Sequence, residues 1–133
     1  CDTTVSAISA NHAAFPLHYI FKRGGKKFFY GCDGAWLLNK GYYYLKNAAF
    51  DTMILDATVG DYDGDYRMAE HNSIPMIRMM LKSFSTFGIT TPETKIYLSH
   101  MSRTLHHDTH AERTARLVPE GMIPACDGMT IQI

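Results

Sequence analysis

The stretch from Lys27 to Gly34, KFFYGCDG, decides how this chain reads. Phe28, Phe29 and Tyr30 suit a buried strand with Lys27 at its edge, and Gly31, Cys32, Asp33 and Gly34 follow at once. An acid placed there stands at the carboxyl end of a strand, between glycines that let backbone and ligand come close. Layered α/β proteins hold ligands at such ends. Asp-Gly is also a common turn pair, and taken alone Asp33 reads as a turn residue. Two further strand-like segments end the same way, at Asp56 and His100, and His12 precedes the hairpin leading to Asp33. The recurrence favours a site.

Outward from that stretch, Thr3 to Ser9 alternates as a strand, and Leu17 to Lys22 is a second strand. Gly24-Gly25 turns the second strand back into Lys26 to Tyr30 as a hairpin. After Asp33, Ala35 to Ala48 suits a helix with a weak point at Gly41. Thr52 to Leu55 is a short apolar strand ending at Asp56. The polar loop that follows spaces Asp61, Asp63 and Asp65 like the start of a calcium loop. Tyr66 stands where such a loop needs glycine, however, and Asn72 where it needs glutamate, so the segment reads as a mobile loop beside a site. Ser73 or Asn72 caps a helix over Ile74 to Phe87, with Pro75 in its first turn and Ile77, Met80, Leu81 and Phe84 on one face. Its methionines read as core filler. Lys95 to Ser99 is a strand ending at His100, Ser102 to about Leu117 a helix, and Met122 to Ala125 and Met129 to Ile133 a closing pair of short strands. Strands alternating with helices indicate one α/β or α+β layered domain, with a mixed sheet and flanking helices.

The chain has 133 residues, 46% of them apolar, which suffices for one domain with its own core. Lysine plus arginine and aspartate plus glutamate each number 13, so the formal charge is zero. Nucleic-acid and membrane-surface binders show a basic excess that is missing here. No apolar run reaches the length of a membrane span and no signal-peptide pattern opens the chain, so the sequence reads as cytoplasmic. Cys1, Cys32 and Cys126 have no Cys-x-x-Cys spacing and read as free thiols of a reducing compartment. With no initiating Met and a strand almost at once, the chain reads as one that begins mid-domain. No base is evident for Cys1 as a nucleophile.

His12, Asp33 and His100 form an imidazole, carboxylate, imidazole set that zinc, manganese and iron all accept. His71 stands just before a helix N-terminus, where an anion is favoured and a histidine can protonate a leaving oxygen. Among His106, His107 and His110, no H-E-x-x-H pattern is present. They read as mostly exposed, with Arg103 or His106 lining a substrate pocket. Phosphate loops, a serine nucleophile elbow and a dinucleotide fingerprint are all missing.

Taken in order, ANH, FFYGCDG, ILDATVGD, AEHNS, IYLSHMS and ACDGMTIQI resemble the C-terminal half of a metallo-β-lactamase-fold hydrolase. The nearest likeness is to the phosphoribosyl cyclic phosphate phosphodiesterase of phosphonate breakdown and its relatives, and it runs through nearly all of residues 1–133. The resemblance implies half of an αββα sandwich, with two divalent cations (zinc, manganese or iron) on the edge between the sheets. His12, Asp33 and His100 match metal-binding positions, with Asp33 the bridging one, and His71 matches the group that protonates the leaving oxygen. Asp56 is given no metal. The family's H-x-H-x-D-H motif, which carries the other ligands, is nowhere in the chain; it belongs to the N-terminal half.

The function this implies is a phosphodiesterase acting on a small cyclic phosphate or related ester. Alternatives are a lactonase, thioesterase or tRNA-processing nuclease on the same scaffold, or a non-catalytic fragment. Alone, the chain is expected to be inactive. Its partners are expected to be the missing half or a swapped copy, in a homo-oligomer.

Overall fold

Six strands form one sheet in the order in which the sequence supplies them. They belong to a computed structural model that describes residues 2–133. Strands β1 (Thr4–Ser9), β2 (Leu17–Arg23) and β3 (Lys26–Gly31) pair antiparallel. From β3 onward, β4 (Thr52–Asp56), β5 (Lys95–Ser99) and β6 (Met122–Pro124) pair parallel. The expected Gly24-Gly25 hairpin forms, and its two central residues have φ of 55° and 83°, the left-handed pair that a two-residue turn of matching twist requires.

The two sheet faces differ in what covers them. Ile20, Phe29, Met53, Leu55, Ile96, Leu98 and Met122 point to one face and are buried in a single core with Ile77, Met80 and Phe84 of helix α2 (Ile74–Thr86). On the other face the registers align Ala7, Tyr19, Tyr30, Ile54, Tyr97 and Ile123 as one row across all six strands. Beside that row Val5, Phe21 and Phe28 form a second, with the two phenylalanine rings stacked at 5.4 Å. No helix of the described residues packs there, and Val5, Leu17, Tyr19 and Tyr30 remain exposed. Apolar residues thus stand on both faces of the sheet, although only one face carries the core.

Helix α2 begins and ends as the sequence indicates. Ser73 Oγ accepts from the Met76 N–H at 3.3 Å, Pro75 occupies the first turn, and Gly88 follows with φ 64°. Met76 and Met80 are core residues, as expected, whereas Met79 of the same helix is exposed, against expectation. Three other segments depart from expectation.

Helix α1 covers only Asn39–Leu45. Ala35 is already engaged in a bridge to Asn11, its N–H donating to the Asn11 carbonyl at 3.0 Å, and Asn47 at φ 60° breaks the far end. Helix α3 begins at His110 and runs to Leu117. Thr109 and Glu112 close a capping box there, while Ser102 to Asp108 forms turns that bury Leu105 and His106. The last segment, Met129 to Ile133, forms no strand, so no late hairpin exists. Its end, Gln132 and Ile133, lines shallow pockets with Lys26, Phe28, Thr52 and Lys95, at the sheet end where β4 and β5 begin. No helix of the described residues is long and apolar enough to cross a membrane.

Candidate metal centre

Three neighbouring parallel strands bring their carboxyl ends together, and each supplies a side chain: Asp33 just after β3, Asp56 at the end of β4, His100 just after β5. Asp33 and His100 both take left-handed backbone, with φ of 58° and 60°. Aspartate and histidine tolerate that conformation better than most residues, and it turns each side chain back over the strand ends. His12, from the loop between β1 and β2, and His71, from the loop before α2, close the group from above.

Asp33 Oδ1 is the meeting point. It lies 3.3 Å from His12 Nε2, 3.7 Å from His100 Nε2 and 3.9 Å from His71 Nδ1. His12 Nε2 and His71 Nε2 are 3.4 Å apart, with the two rings edge to face. The sequence trio of His12, Asp33 and His100 is therefore brought together, and His71 stands beside it.

Asp56 is the residue that sequence reading underrated. Its side chain is fully buried. Oδ1 accepts from the N–H groups of Thr58 at 3.0 Å and Asn72 at 3.1 Å. Oδ2 accepts from the Asp33 N–H at 3.1 Å and from His71 Nδ1 at 3.0 Å, with Thr58 Oγ1 at 3.2 Å. A carboxylate can only accept, so His71 carries its proton on Nδ1 and turns Nε2 toward the site. Asp56 thus ties together the Asp33 turn, the end of β4 and the start of α2. Both its oxygens are engaged by protein donors, and donor atoms of Asp33, Asp56, His71 and His100 all lie within 4.8 Å of one another.

The donor set fits a divalent cation. Imidazole and carboxylate suit zinc, manganese and iron. Two ligands bound at about 2.05 Å to one tetrahedral ion stand about 3.3 Å apart, and His12 Nε2 and Asp33 Oδ1 are separated by 3.3 Å. His12, Asp33 and His100 offer three donors of these kinds.

The surroundings are sorted by burial. Cys32, next to Asp33, is buried, and desolvation together with Asp56 and Asp33 pushes its thiol up to about 11, so it stays protonated. His18 lies under the turn after Asp33: a Cβ on Gly34 would stand 2.6 Å from its Nε2. Both its ring nitrogens are buried without a partner, and burial lowers its pKa to about 4. Sequence reading passed over His18, although alternation in LHYIFK puts it on the face of Ile20.

Arg103 is exposed and lines a cavity of about 380 Å³ beside His100, with His110, Arg113, Cys126 and Asp127. Arg113 is already paired with Asp108, whereas Arg103 makes no ion pair among the described residues. The expectation of an exposed His106 fails. Its ring is buried, Nε2 donates to the Ala57 carbonyl at 2.7 Å, and desolvation lowers its pKa, so it braces the end of β4 and is not among the residues lining the Arg103 cavity. The aspartate loop is also held more firmly than expected. Asp61 binds Arg78 and Arg116, and Asp65 caps a short 3₁₀ turn over Tyr66–Ala69.

No protein-family model matches the chain, and no curated protein matches it by sequence. Solved structures do. A diphosphatase from the PhnP family superposes with a TM-score of 0.66 at 18% identity, over 98% of this chain and 44% of its own. The metallo-beta-lactamase fold protein YhfI from Bacillus subtilis gives 0.65 at 15% identity, over 96% and 48%. Zn²⁺-bound PqqB from Methylobacterium extorquens gives 0.61 at 16% identity, over 98% and 50%. At such identities the likeness speaks for the fold. The chain therefore has the metallo-β-lactamase fold, over about half the length of each protein it matches.

Proposed function

We propose that this chain is the C-terminal half of a metal-dependent hydrolase that cleaves a phosphodiester, a small cyclic phosphate or a related ester. The observation that carries the reading is the convergence of His12 and His100 on one oxygen of Asp33, at 3.3 and 3.7 Å, with His71 alongside and backed by buried Asp56. Similarity to a diphosphatase and to a Zn²⁺-bound protein supports the class.

His12, Asp33 and His100 would hold part of a two-cation site. Bound cations, zinc or manganese in this reading, supply Lewis acidity toward phosphoryl oxygens and lower the pKa of water. The chain's own residues do the rest. His71 keeps its Nδ1–H on Asp56 and delivers a proton from Nε2 to the leaving oxygen; Asp56 steadies the ring in its charged form. Arg103, which lines the cavity next to His100 and makes no ion pair among the described residues, binds an anionic part of the substrate.

Three ligands are fewer than two cations need. The remainder would come from the half that carries the H-x-H-x-D-H motif, absent here. That half, or a swapped copy in a homo-oligomer, would also cover the row of Tyr19, Tyr30, Ile54 and Tyr97. The chain by itself is then inactive.

His71 provides the test, in the enzyme with both halves present. His71→Ala should keep its metal and lose turnover by roughly a hundred- to ten-thousand-fold. The loss should shrink for a nitrophenolate leaving group, which needs little protonation. Equal losses on good and poor leaving groups, with metal depleted, would put His71 in the metal shell and defeat the assignment.

A further inference from the structure

We infer that the Thr58 hydroxyl sets the tautomer of His100, and so decides which ring nitrogen His100 presents to the centre. Thr58 is buried. Its Oγ1 lies 2.7 Å from His100 Nδ1, 2.9 Å from the His100 carbonyl oxygen and 3.2 Å from Asp56 Oδ2; His71 Nδ1 also stands at 3.2 Å, with its own proton on Asp56. A hydroxyl has one proton to give and two lone pairs to accept with. The carbonyl and the carboxylate can only accept, so the hydroxyl proton goes to one of them. The shortest contact of the three, to His100 Nδ1, is then made by a proton on Nδ1 that points at Oγ1.

The rival arrangement gives the hydroxyl proton to a bare Nδ1. Oγ1 would then make a single hydrogen bond where the first arrangement makes two, and neither oxygen would receive the hydroxyl proton. Asp56 cannot take over as the direct partner of His100. Its Oδ2 lies farther from Nδ1, at 3.3 Å, and already accepts from the Asp33 N–H and from His71 Nδ1. Thr58 therefore works as a relay from His100 to the strand end. It is held for this by its own N–H, which donates to Asp56 Oδ1 at 3.0 Å.

The consequence concerns Nε2. A neutral ring with its proton on Nδ1 has a bare Nε2, and that atom is the one facing Asp33 Oδ1 at 3.7 Å. Only a bare nitrogen can bind a cation. Thr58 is thus a positioning residue, acting through His100. Its bearing on metal rests on the proposed metal-binding reading; its bearing on the tautomer does not.

The experiment uses the chain as it is, free of metal and labelled with ¹⁵N-histidine, at about pH 8 where an ordinary imidazole is neutral. His100→Ala assigns the signal. Wild type and Thr58→Ser should show His100 as the Nδ1–H tautomer, and Thr58→Val should lose that preference. In calorimetric titration with zinc, Thr58→Val should bind at least tenfold more weakly, as is usual when a residue supporting a ligand is removed, and Thr58→Ser should recover most of the loss. An Nε2–H tautomer in the wild type overturns the inference without any variant having to fold. So does a tautomer that ignores Thr58→Val. A tautomer that follows Thr58 in a chain that binds no zinc supports the inference and contradicts the metal-binding reading instead.

Discussion

Asp33 and Asp56 end neighbouring parallel strands and have the same chemistry, yet they occupy opposite environments. Asp33 is 58% exposed, lies on left-handed backbone and offers its Oδ1 to three histidines. Asp56 is wholly buried and spends both oxygens on the protein's own donors. One carboxylate faces outward with its Oδ1 beside the histidines, and the other holds the first in place through the Asp33 N–H. The difference teaches that acids at neighbouring strand ends are set apart by whether the protein's own donors already engage their oxygens.

A matched pair of substitutions probes this contrast, and the largest stability effect is expected there. Asp56→Asn puts an amide among three backbone N–H groups and an imidazole N–H. Each buried donor left unmet costs about 1–3 kcal/mol, so roughly 3 kcal/mol or more of stability should go. Asp33→Asn keeps a residue that tolerates left-handed backbone at an exposed place and should change stability by no more than about 0.5 kcal/mol. Urea unfolding of both variants decides the matter. Comparable losses would mean that the two carboxylates are not specialised.

His18, beneath the Asp33 turn, should give an effect nearly as large, but one that depends on pH. Burial holds its folded pKa at about 4, with the Asp56 charge working in the opposite direction. The unfolded ring titrates near 6.5. The folded state therefore binds the proton less well, and the contribution to stability is whole above about pH 6.5. It declines as pH falls toward 4, by roughly 3 kcal/mol in all. Unfolding curves at neutral pH and near pH 4.5 should show wild type losing more than His18→Leu, which has nothing to titrate there. Parallel losses would show that His18 is as easily protonated in the fold as outside it.

The smallest effect concerns a helix start. Thr109 Oγ1 accepts from the Glu112 N–H at 3.3 Å, and Thr109→Ala should cost about 1 kcal/mol, read as a shift in the urea midpoint.

That helix start also shows what the sequence made legible. The T-x-x-E pattern of Thr109 and Glu112 marks where α3 begins, and a helix from Ser102 overlooks it. The strands were readable because β-branched and aromatic residues cluster between glycines and polar turns, and because alternation fixes the faces. Met129 to Ile133 has the same composition but forms no strand, since composition cannot supply a pairing partner. Within the site, His12, Asp33, His71 and His100 came forward through strand ends and through resemblance. Asp56 came forward only as a strand end and Thr58 not at all, because their roles depend on donors from Asn72 and His100, remote in sequence. His18 needed its burial to stand out.

The measurement that bears most directly on the proposal is metal content per chain. After dialysis, elemental analysis of the chain loaded with zinc or manganese should find well under one tightly held ion, because three ligands leave a pair of cations short of partners. Asp33→Asn should remove even the weak binding that titration detects. Close to two tightly held ions per chain, or binding indifferent to Asp33→Asn, would contradict a centre built by His12, Asp33 and His100 and completed by another half.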